Sequence, residues 1–362
     1  MNLALVHEGH HDFSMTFGTV RHLGARRHIR AMIRRNDMAL VEVRELRKQY
    51  GSITAVDGVS FDVHEGEVFS LLGPNGAGKS TSIGMLSALI EPTGGEALIG
   101  GLSVRGRSAA LRRLFGVVPQ EIALYEELSA KDNLLFWGRL YGLRGGDLRG
   151  RISSILEKVG LADRAGSAIK TLSGGMKRRL NIAAGLLLGP RLVFMDEPTV
   201  GIDPQSRRSV LDLILQLKRE GTTILYTTHY MAEAEELSDR VGIIDHGKLL
   251  AMGTCRELAA SVGGDEQLRV ALSGREEGER LSQSLRAVPG LSVKSDGAQV
   301  TVRAPRVRQL LPRIVEAAAA VRATLRDIEI REPNLETVFL AYTGRELAGQ
   351  GADVPGGFFG AE

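Results

Sequence analysis

The sequence contains a single cysteine, Cys255, among 362 residues. One cysteine cannot form an intramolecular disulfide, and it also excludes a zinc site built on several cysteines. A chain without disulfides is typical of a reducing compartment. We therefore expect a cytoplasmic protein.

Long apolar runs are also missing. Residues 183–195 form the best run, and Gly189, Pro190 and Arg191 interrupt it, whereas a membrane-spanning helix needs about 20 consecutive apolar residues. Any work at a membrane is therefore expected to depend on another chain. With 43% hydrophobic and 25% charged residues, the composition is that of a globular protein with one large domain and room for a small one.

The net positive charge is small and unevenly placed. The formal net charge is +3, and residues 1–37 account for all of it, with six arginines against three acidic residues. No nucleic-acid partner is expected, because that function concentrates basic residues across a folded domain. We interpret residues 1–37 as a disordered extension or a misassigned start before Met38. A metal-binding or targeting role for His10, His11 and the arginines is the less favoured alternative.

Hydrophobic patterning predicts an α/β architecture for residues 38–262. Alternating runs at 40–43 and 59–63 are typical of half-buried antiparallel strands. Continuous apolar runs predict parallel strands that are covered on both faces, and they occupy residues 68–72, 192–195 and 223–227. Helical spacing occurs at 133–143 and 152–159, and a hairpin is predicted over 241–251.

A second region is predicted beyond a linker at residues 263–265. Short alternating strands and amphipathic helices begin afresh there, so residues 266–345 are expected to form a small accessory α+β domain. Residues 346–362 are rich in glycine and are expected to be a flexible tail.

The sharpest motif is a glycine-rich loop between an apolar strand and a helical segment. It consists of Gly73, Pro74, Asn75, Gly76, Ala77, Gly78, Lys79, Ser80 and Thr81. Glycines let successive backbone N–H groups face phosphate oxygens, and the helix that follows directs its positive end to the same charge. Lys79 is predicted to bridge the outer phosphates, Ser80 to ligate Mg²⁺ and Thr81 to hydrogen-bond a phosphate.

Two acidic residues end the apolar run at 192–195. Asp196 is suited to the outer coordination shell of Mg²⁺, and Glu197 is suited to polarising the water that attacks a γ-phosphate. Both are expected at the sheet edge beside the phosphate loop. Kinases, GTPases and many ATPases share these two motifs, so the pair alone does not identify the class.

A third motif, Leu172-Ser173-Gly174-Gly175-Met176-Lys177 followed by a helical run, resembles the signature of ATP-binding cassette (ABC) proteins. The resemblance covers roughly residues 40–252. It implies a P-loop cassette with a parallel-sheet core, an antiparallel β subdomain and a helical subdomain. It also implies further roles: adenine stacking by Tyr50, Mg²⁺ and γ-phosphate sensing by Gln120, dimer coupling by Asp203 and γ-phosphate contact by His229.

The resemblance further implies a dimer. Ser173, Gly174 and Gly175 offer a second anion-binding helix N-terminus, while one γ-phosphate already belongs to the Lys79 loop. In the family, two cassettes pack head to tail, so each ATP lies between the phosphate loop of one subunit and the signature of the other. We expect a homodimer, or a pair with a paralogous cassette, that loosens when the γ-phosphate is lost.

Two segments, residues 197–207 and 227–231, resemble type-2 ABC exporters. Residues 332–340 resemble the ending of bacterial drug-resistance cassettes of this class, such as the daunorubicin and linearmycin exporters. The resemblance implies an ATPase that uses ATP and Mg²⁺. It would power efflux of a drug, lipid or similar compound through a separate multispanning permease. Its location would be cytoplasmic, peripheral on the inner face of the bacterial cell membrane.

Aromatic residues follow Gln120, which matches the glutamine loop of the family. In family members, a short helix of the membrane subunit binds next to this loop. They are Tyr125, Phe136, Trp137 and Tyr141. Tyr125 stands in a loop-like stretch and is the preferred candidate for this groove, whereas Trp137 is predicted to belong to the core.

Three alternatives stay open. A soluble ABC protein of translation or DNA repair normally has two cassettes or a long coiled-coil insertion, and neither is present. An inactive interaction module is disfavoured because Lys79, Asp196 and Glu197 are all in place. An importer ATPase is the closest alternative, since the membrane partner sets the direction of transport.

Overall fold

The computed structural model describes residues 39–262, 266–304, 307–331 and 334–344. The predictions for residues 1–37, 263–265 and 346–362 lie outside these ranges. In the described ranges, no helix combines the length and the apolar character needed to cross a membrane.

The cassette occupies residues 39–262 and is built from three layers. Its elements are β1 (Ala39–Tyr50), β2 (Ile53–His64), β3 (Val68–Leu72), α1 (Lys79–Leu86), β4 (Gly94–Ile99), β5 (Leu102–Ser103), α2 (Ala109–Arg112), β6 (Phe115–Val118), α3 (Ala130–Leu140), α4 (Gly145–Lys158), α5 (Gly174–Leu186), β7 (Leu192–Asp196), α6 (Pro204–Arg219), β8 (Thr223–Thr228), α7 (Met231–Leu237), β9 (Arg240–Asp245), β10 (Lys248–Gly253) and α8 (Cys255–Ser261). Short 3₁₀ turns lie at 104–106, 162–164 and 169–171.

The central layer is a six-stranded sheet in the order β10-β9-β3-β8-β7-β6. Strands β9, β3, β8, β7 and β6 run parallel, and β10 pairs with β9 as an antiparallel hairpin. The predicted parallel strands and the hairpin are confirmed. Every residue of β3 and β7 is buried, which is why these strands are apolar runs without alternation. The carboxyl ends of β3, β6, β7 and β8 meet at one edge, where ligand sites of open α/β sheets form.

A second, antiparallel sheet has the order β2-β1-β4-β5. Phe61 of β2 stacks on Phe69 of β3, with ring centroids 5.1 Å apart, within one buried cluster shared by the two sheets. The strands predicted at 40–43 and 59–63 are the paired β1 and β2, with Val43 opposite Phe61.

The third layer is helical and consists of α3, α4 and α5. Leu134, Leu148, Ile152 and Leu180 bury their side chains between these helices. Contact is close, because a Cβ at Gly138 of α3 would lie 2.3 Å from a methyl group of Leu148. These three layers confirm the predicted cassette architecture.

The C-terminal region continues with β11 (Glu266–Leu272), α9 (Arg275–Arg286), β12 (Ser292–Asp296), β13 (Gln299–Ala304), α10 (Val307–Ala320), β14 (Leu325–Arg331) and α11 (Leu335–Thr343). Its antiparallel sheet has the order β12-β13-β11-β14. The two helices α9 and α10 cover one face, where Leu268, Leu281, Val302 and Ile314 form a core. The strands and helices predicted for this region are present.

The last described helix, α11, packs on the cassette. Its residues Leu335, Val338 and Phe339 are buried in one cluster with Met231 of α7 and Leu258 of α8. The backbone N–H of Leu335 also donates to Glu235 Oε1 at 2.6 Å. The chain therefore returns to the cassette after crossing the C-terminal sheet.

Candidate nucleotide site

The loop between β3 and α1 is fixed by close backbone contacts. A Cβ at Gly73 would lie 2.1 Å from the carbonyl oxygen of Ile244, and one at Gly78 would lie 2.5 Å from that of Ala55. Gly78 also has φ +103°, a value that residues with a side chain rarely adopt. Glycine is therefore required at both positions for the loop to take this shape.

The N-terminus of α1 opens into this loop. Gly78 precedes the helix and provides no side-chain cap, so the first N–H groups of α1 have no partner within the helix. Ser80 in the first turn is exposed. A helix N-terminus with free donors and positive partial charge suits an anionic phosphate.

Lys79 is buried at the base of the loop, with 4% of its surface exposed. Its Nζ donates to the carbonyl oxygens of Gly73 at 2.8 Å and Pro74 at 2.9 Å. The third contact is an ion pair of 2.9 Å with Glu197 Oε1. The phosphate-loop cation and the proposed general base thus contact each other directly.

Glu197 lies just beyond β7 with its backbone at φ +42°, a strained conformation for a residue with a side chain. Its N–H is held by Thr227, which accepts at 2.9 Å through Oγ1. The second carboxylate oxygen lies 3.1 Å from Nδ1 of His229. Burial on its own raises the pKa of Glu197, but the hydrogen bonds from His229 and Lys79 outweigh it and lower this pKa to about 2. The carboxylate is therefore ionised at neutral pH.

Asp196 is connected to the same group through Thr227, whose hydroxyl donates to Asp196 Oδ1 at 2.6 Å. Thr227 thus orients both acidic residues. Sequence reasoning missed it, although its place at the end of an apolar strand, two residues before His229, was an available signal. The structure brings together Lys79, Asp196, Glu197 and His229.

Gln120 follows β6 and is exposed. Its backbone oxygen accepts a 2.7 Å hydrogen bond from Arg178 of α5, and the same guanidinium donates to the oxygens of Pro119 and Val200. Arg178 is buried, and this burial lowers its pKa. Arg178 therefore ties the glutamine loop to the helix of the signature motif, a role that the sequence did not predict.

The signature motif begins α5. Ser173 is the N-cap and accepts from the N–H of Met176 at 3.3 Å, and Ser173 and Gly174 are both exposed. A Cβ at Gly175 would lie 2.1 Å from Oγ of Ser206 in α6. The motif is thus a solvent-facing helix N-terminus packed directly against the helix that Asp203 begins.

Asp203 caps α6 by accepting from the N–H of Ser206 at 2.9 Å. This interaction with Ser206 lowers the pKa of Asp203. In the described ranges, no hydrogen bond or ion pair joins Asp203, Ser173 or Tyr50 to Lys79. The Tyr50 ring is 46% exposed at the end of β1, with Lys48 Nζ 4.8 Å from its centroid.

A groove of about 300 Å³ lies between the β6 end of the central sheet and the helical layer. Phe115, Val117, Trp137 and Tyr141 line it. Nε1 of Trp137 is buried without a hydrogen-bond acceptor in the part of the chain that the structure describes. Tyr125, the preferred candidate from the sequence, stacks edge-on against Phe136 at 4.8 Å instead. Trp137 lines this groove and also packs against the core of the helical layer, as predicted from the sequence.

Comparison with known proteins gives a consistent result. The ABC transporter family matches residues 56–200. The linearmycin resistance ATP-binding protein of Bacillus subtilis is 44% identical over 309 residues, which cover 85% of this chain and 99% of that protein. The doxorubicin resistance ATP-binding protein of Mycobacterium tuberculosis is 40% identical over 86% of this chain and 95% of its own length. The Nod factor export ATP-binding protein I of Cupriavidus pinatubonensis is 37% identical over 85% and 92%.

Solved structures match the cassette. An ATP-binding subunit of an ABC transporter superposes with a TM-score of 0.56 at 34% identity, over 62% of this chain and 93% of that chain. A dimeric post-hydrolysis state of the cassette MJ0796, bound to ADP and Pi, gives a TM-score of 0.54 at 27% identity, over 59% and 98%.

Proposed function

Because the chain belongs to the ATP-binding proteins of ABC transporters, we propose that it hydrolyses ATP to power export of a drug, lipid or similar compound through a separate membrane subunit. The names of its relatives support export, since they concern resistance to linearmycin and doxorubicin and export of Nod factor.

The observation that carries this proposal is the buried contact of Glu197 with both Lys79 and His229. A P-loop lysine, a strand-end carboxylate and a histidine at one sheet edge are the groups that hold a triphosphate and activate water. Glu197 neutralises Lys79 through the ion pair of 2.9 Å. When ATP binds, its outer phosphates take over Lys79, which frees one oxygen of Glu197 to accept a proton from the attacking water.

His229 can then form a hydrogen bond either with the carboxylate of Glu197 or with the γ-phosphate. A donor at this position orients the γ-phosphate and stabilises the charge on its oxygens during transfer. Mg²⁺ would be held at the same edge, with Ser80 and Gln120 offering side-chain oxygens as ligands and Asp196 in the outer coordination shell, and it would neutralise phosphate charge. Tyr50, exposed at the end of β1, is assigned to stacking on the adenine.

A second cassette completes the site in this proposal. The signature helix N-terminus at Ser173 and Gly174 is exposed and is not joined to Lys79 by any described contact. It is therefore available to the phosphates held by another subunit. Asp203, exposed at the start of α6, is assigned to contacts across the same interface. We expect a homodimer or a pair with a paralogous cassette, bound to the cytoplasmic face of the membrane through its permease.

In this proposal, the permease binds in the groove between the β6 end of the central sheet and the helical layer. Trp137 and Tyr141 line it, and half of the Tyr141 surface is exposed. A short helix with an apolar side fits the groove, because Phe115, Val117 and Trp137 give the groove an apolar lining.

The test is to purify the tagged chain from its native membranes, to identify the bound proteins and to assay ATP hydrolysis by the complex. A multispanning partner that stimulates hydrolysis is the expected result. Tyr141→Ala should reduce recovery of that partner, while Tyr342→Ala, a matched exposed tyrosine on α11, should not. Recovery of ribosomes or DNA without a membrane protein would contradict the proposal.

A further inference from the structure

Glu233, in the first turn of α7, is buried with 4% of its surface exposed. One of its oxygens, Oε2, accepts three hydroxyl hydrogen bonds. They come from Tyr226 Oη at 2.7 Å, Thr228 Oγ1 at 2.9 Å and Thr199 Oγ1 at 3.0 Å. A buried carboxylate is costly unless such donors satisfy it, so these three groups are arranged around the charge.

The donors belong to the segments that carry the predicted reacting groups. Thr199 stands two residues after Glu197, and Thr228 immediately precedes His229. The hydroxyl of Thr228 also accepts from the N–H of Tyr230 at 2.9 Å. The peptide bond that follows His229 is therefore held by a hydrogen-bond chain that ends on Glu233.

The second oxygen of Glu233 faces α6. Oε1 lies 4.0 Å from Nε of Arg207, and neither atom has a hydrogen-bond partner among the described residues. The guanidinium of Arg207 lies over the ring of Tyr230, 4.5 Å from its centroid. Arg207 follows Asp203 by one helical turn, so Glu233 also stands between the segment that carries His229 and helix α6, which Asp203 caps.

We propose that Glu233 is a positioning residue for ATP hydrolysis, which holds His229 in register with Glu197 through Thr228 and Thr199. This inference rests on the proposed function. An apolar side chain of the same size would fill the space, but it would leave the three hydroxyls unpaired and free to reorient. Among the described residues, Glu233 forms no hydrogen bond or ion pair with Lys79 or Glu197, and in this proposal it acts on the reaction through His229.

The test compares kcat and KM for ATP in the full-length chain and in four variants. Glu233→Gln should lower kcat by roughly 10-fold while KM changes less than about 2-fold. The neutral amide oxygen is a weaker acceptor for the three hydroxyls, so His229 loses its fixed position and its transition-state contact, whereas ground-state binding of ATP is kept. His229→Ala should lower kcat further. The double variant should match His229→Ala within about 2-fold, since residues that act through one another are not additive. The fourth variant, Glu67→Gln, is the matched control and should keep wild-type kcat. Glu67 is also a buried carboxylate, which accepts from the N–H of His64 and lies beside Arg240.

The results that would contradict the role of Glu233 differ from those that would contradict the role of His229. Wild-type kcat for Glu233→Gln beside an impaired His229→Ala would refute the role of Glu233, as would a double variant about 10-fold slower than His229→Ala. Equal loss in Glu67→Gln would refute it too. A fully active His229→Ala would overturn the role of His229 on which this inference depends, whereas no ATP hydrolysis by the wild-type chain would overturn the proposed function. If Glu233→Gln does not fold, Thr228→Val removes the same link and must show the same loss of kcat.

Discussion

The cassette and the C-terminal region keep their charges in different places. Buried charged side chains occur throughout the cassette, among them Lys79, Arg178, Glu197 and Glu233. In the described part of the C-terminal region, the buried polar side chain is Ser282, and charged residues such as Arg269 and Arg303 lie on the open face of the sheet. Burying a charge is unfavourable without dedicated partners.

This difference shows where the protein carries its chemistry. In the cassette, buried polar side chains such as Thr227, Arg178 and Glu233 form hydrogen bonds between strand ends and helices. Packing of apolar residues alone would not require these bonds. The C-terminal sheet and helices are explained by an apolar core on one face and solvated groups on the other. We therefore expect substitutions of charged residues to have large effects in the cassette and small effects on the C-terminal sheet.

The largest effect is expected for Glu197→Gln. Removing the group that accepts the proton of the attacking water should lower the hydrolysis rate by about 10² to 10⁴-fold, while ATP binding is retained. Single-turnover hydrolysis and nucleotide binding measured on the same preparation check both parts. An unchanged rate would show that Glu197 is not the general base.

The next effect concerns the ion pair of Lys79 with Glu197. Lys79→Met should destabilise the ligand-free protein by about 3 kcal/mol, because it leaves a buried carboxylate with one partner fewer. Adding Glu197→Gln to Lys79→Met should recover part of this loss, since the unpaired charge is removed. Urea unfolding measures both changes, and a further loss of stability in the double variant would contradict the assignment.

A comparable test addresses the boundary between the two regions. Phe339→Ala should destabilise the chain by about 3 kcal/mol, because Phe339 is buried against the cassette. Leu281→Ala in the core of the C-terminal region is the control. If α11 joins the two regions, Phe339→Ala should lower the unfolding temperature of the cassette, whereas a shift confined to the C-terminal region would show that α11 is not part of the cassette core.

The smallest effect is expected on the open sheet face. Arg269→Gln and Arg303→Gln should each change stability by less than about 0.5 kcal/mol and leave hydrolysis unchanged. Neither side chain has an ion pair to lose among the described residues. Thermal unfolding and the ATPase assay check this, and a large loss would mean that this face carries a function.

The sequence by itself determined the phosphate loop, the strand-end carboxylates, the signature and the order of strands and helices. These features obey local rules. Gly73 and Gly78 are required by the path of the backbone, the apolar runs reflect strands that are covered on both faces, and alternation marks strands such as β1 with one buried face. The structural role of a residue that satisfies a local rule can be predicted without knowing its neighbours in the folded structure.

Only the tertiary structure decided which distant groups meet. Arg178 bonds to Gln120 across 58 positions of the chain, and Glu233 bonds to Thr199 across 34. Tertiary packing also brought Phe339 back to the cassette. The physical reason is that a buried polar group is satisfied by whichever donors the fold brings within hydrogen-bond distance, and helical or strand periodicity carries no information about those partners.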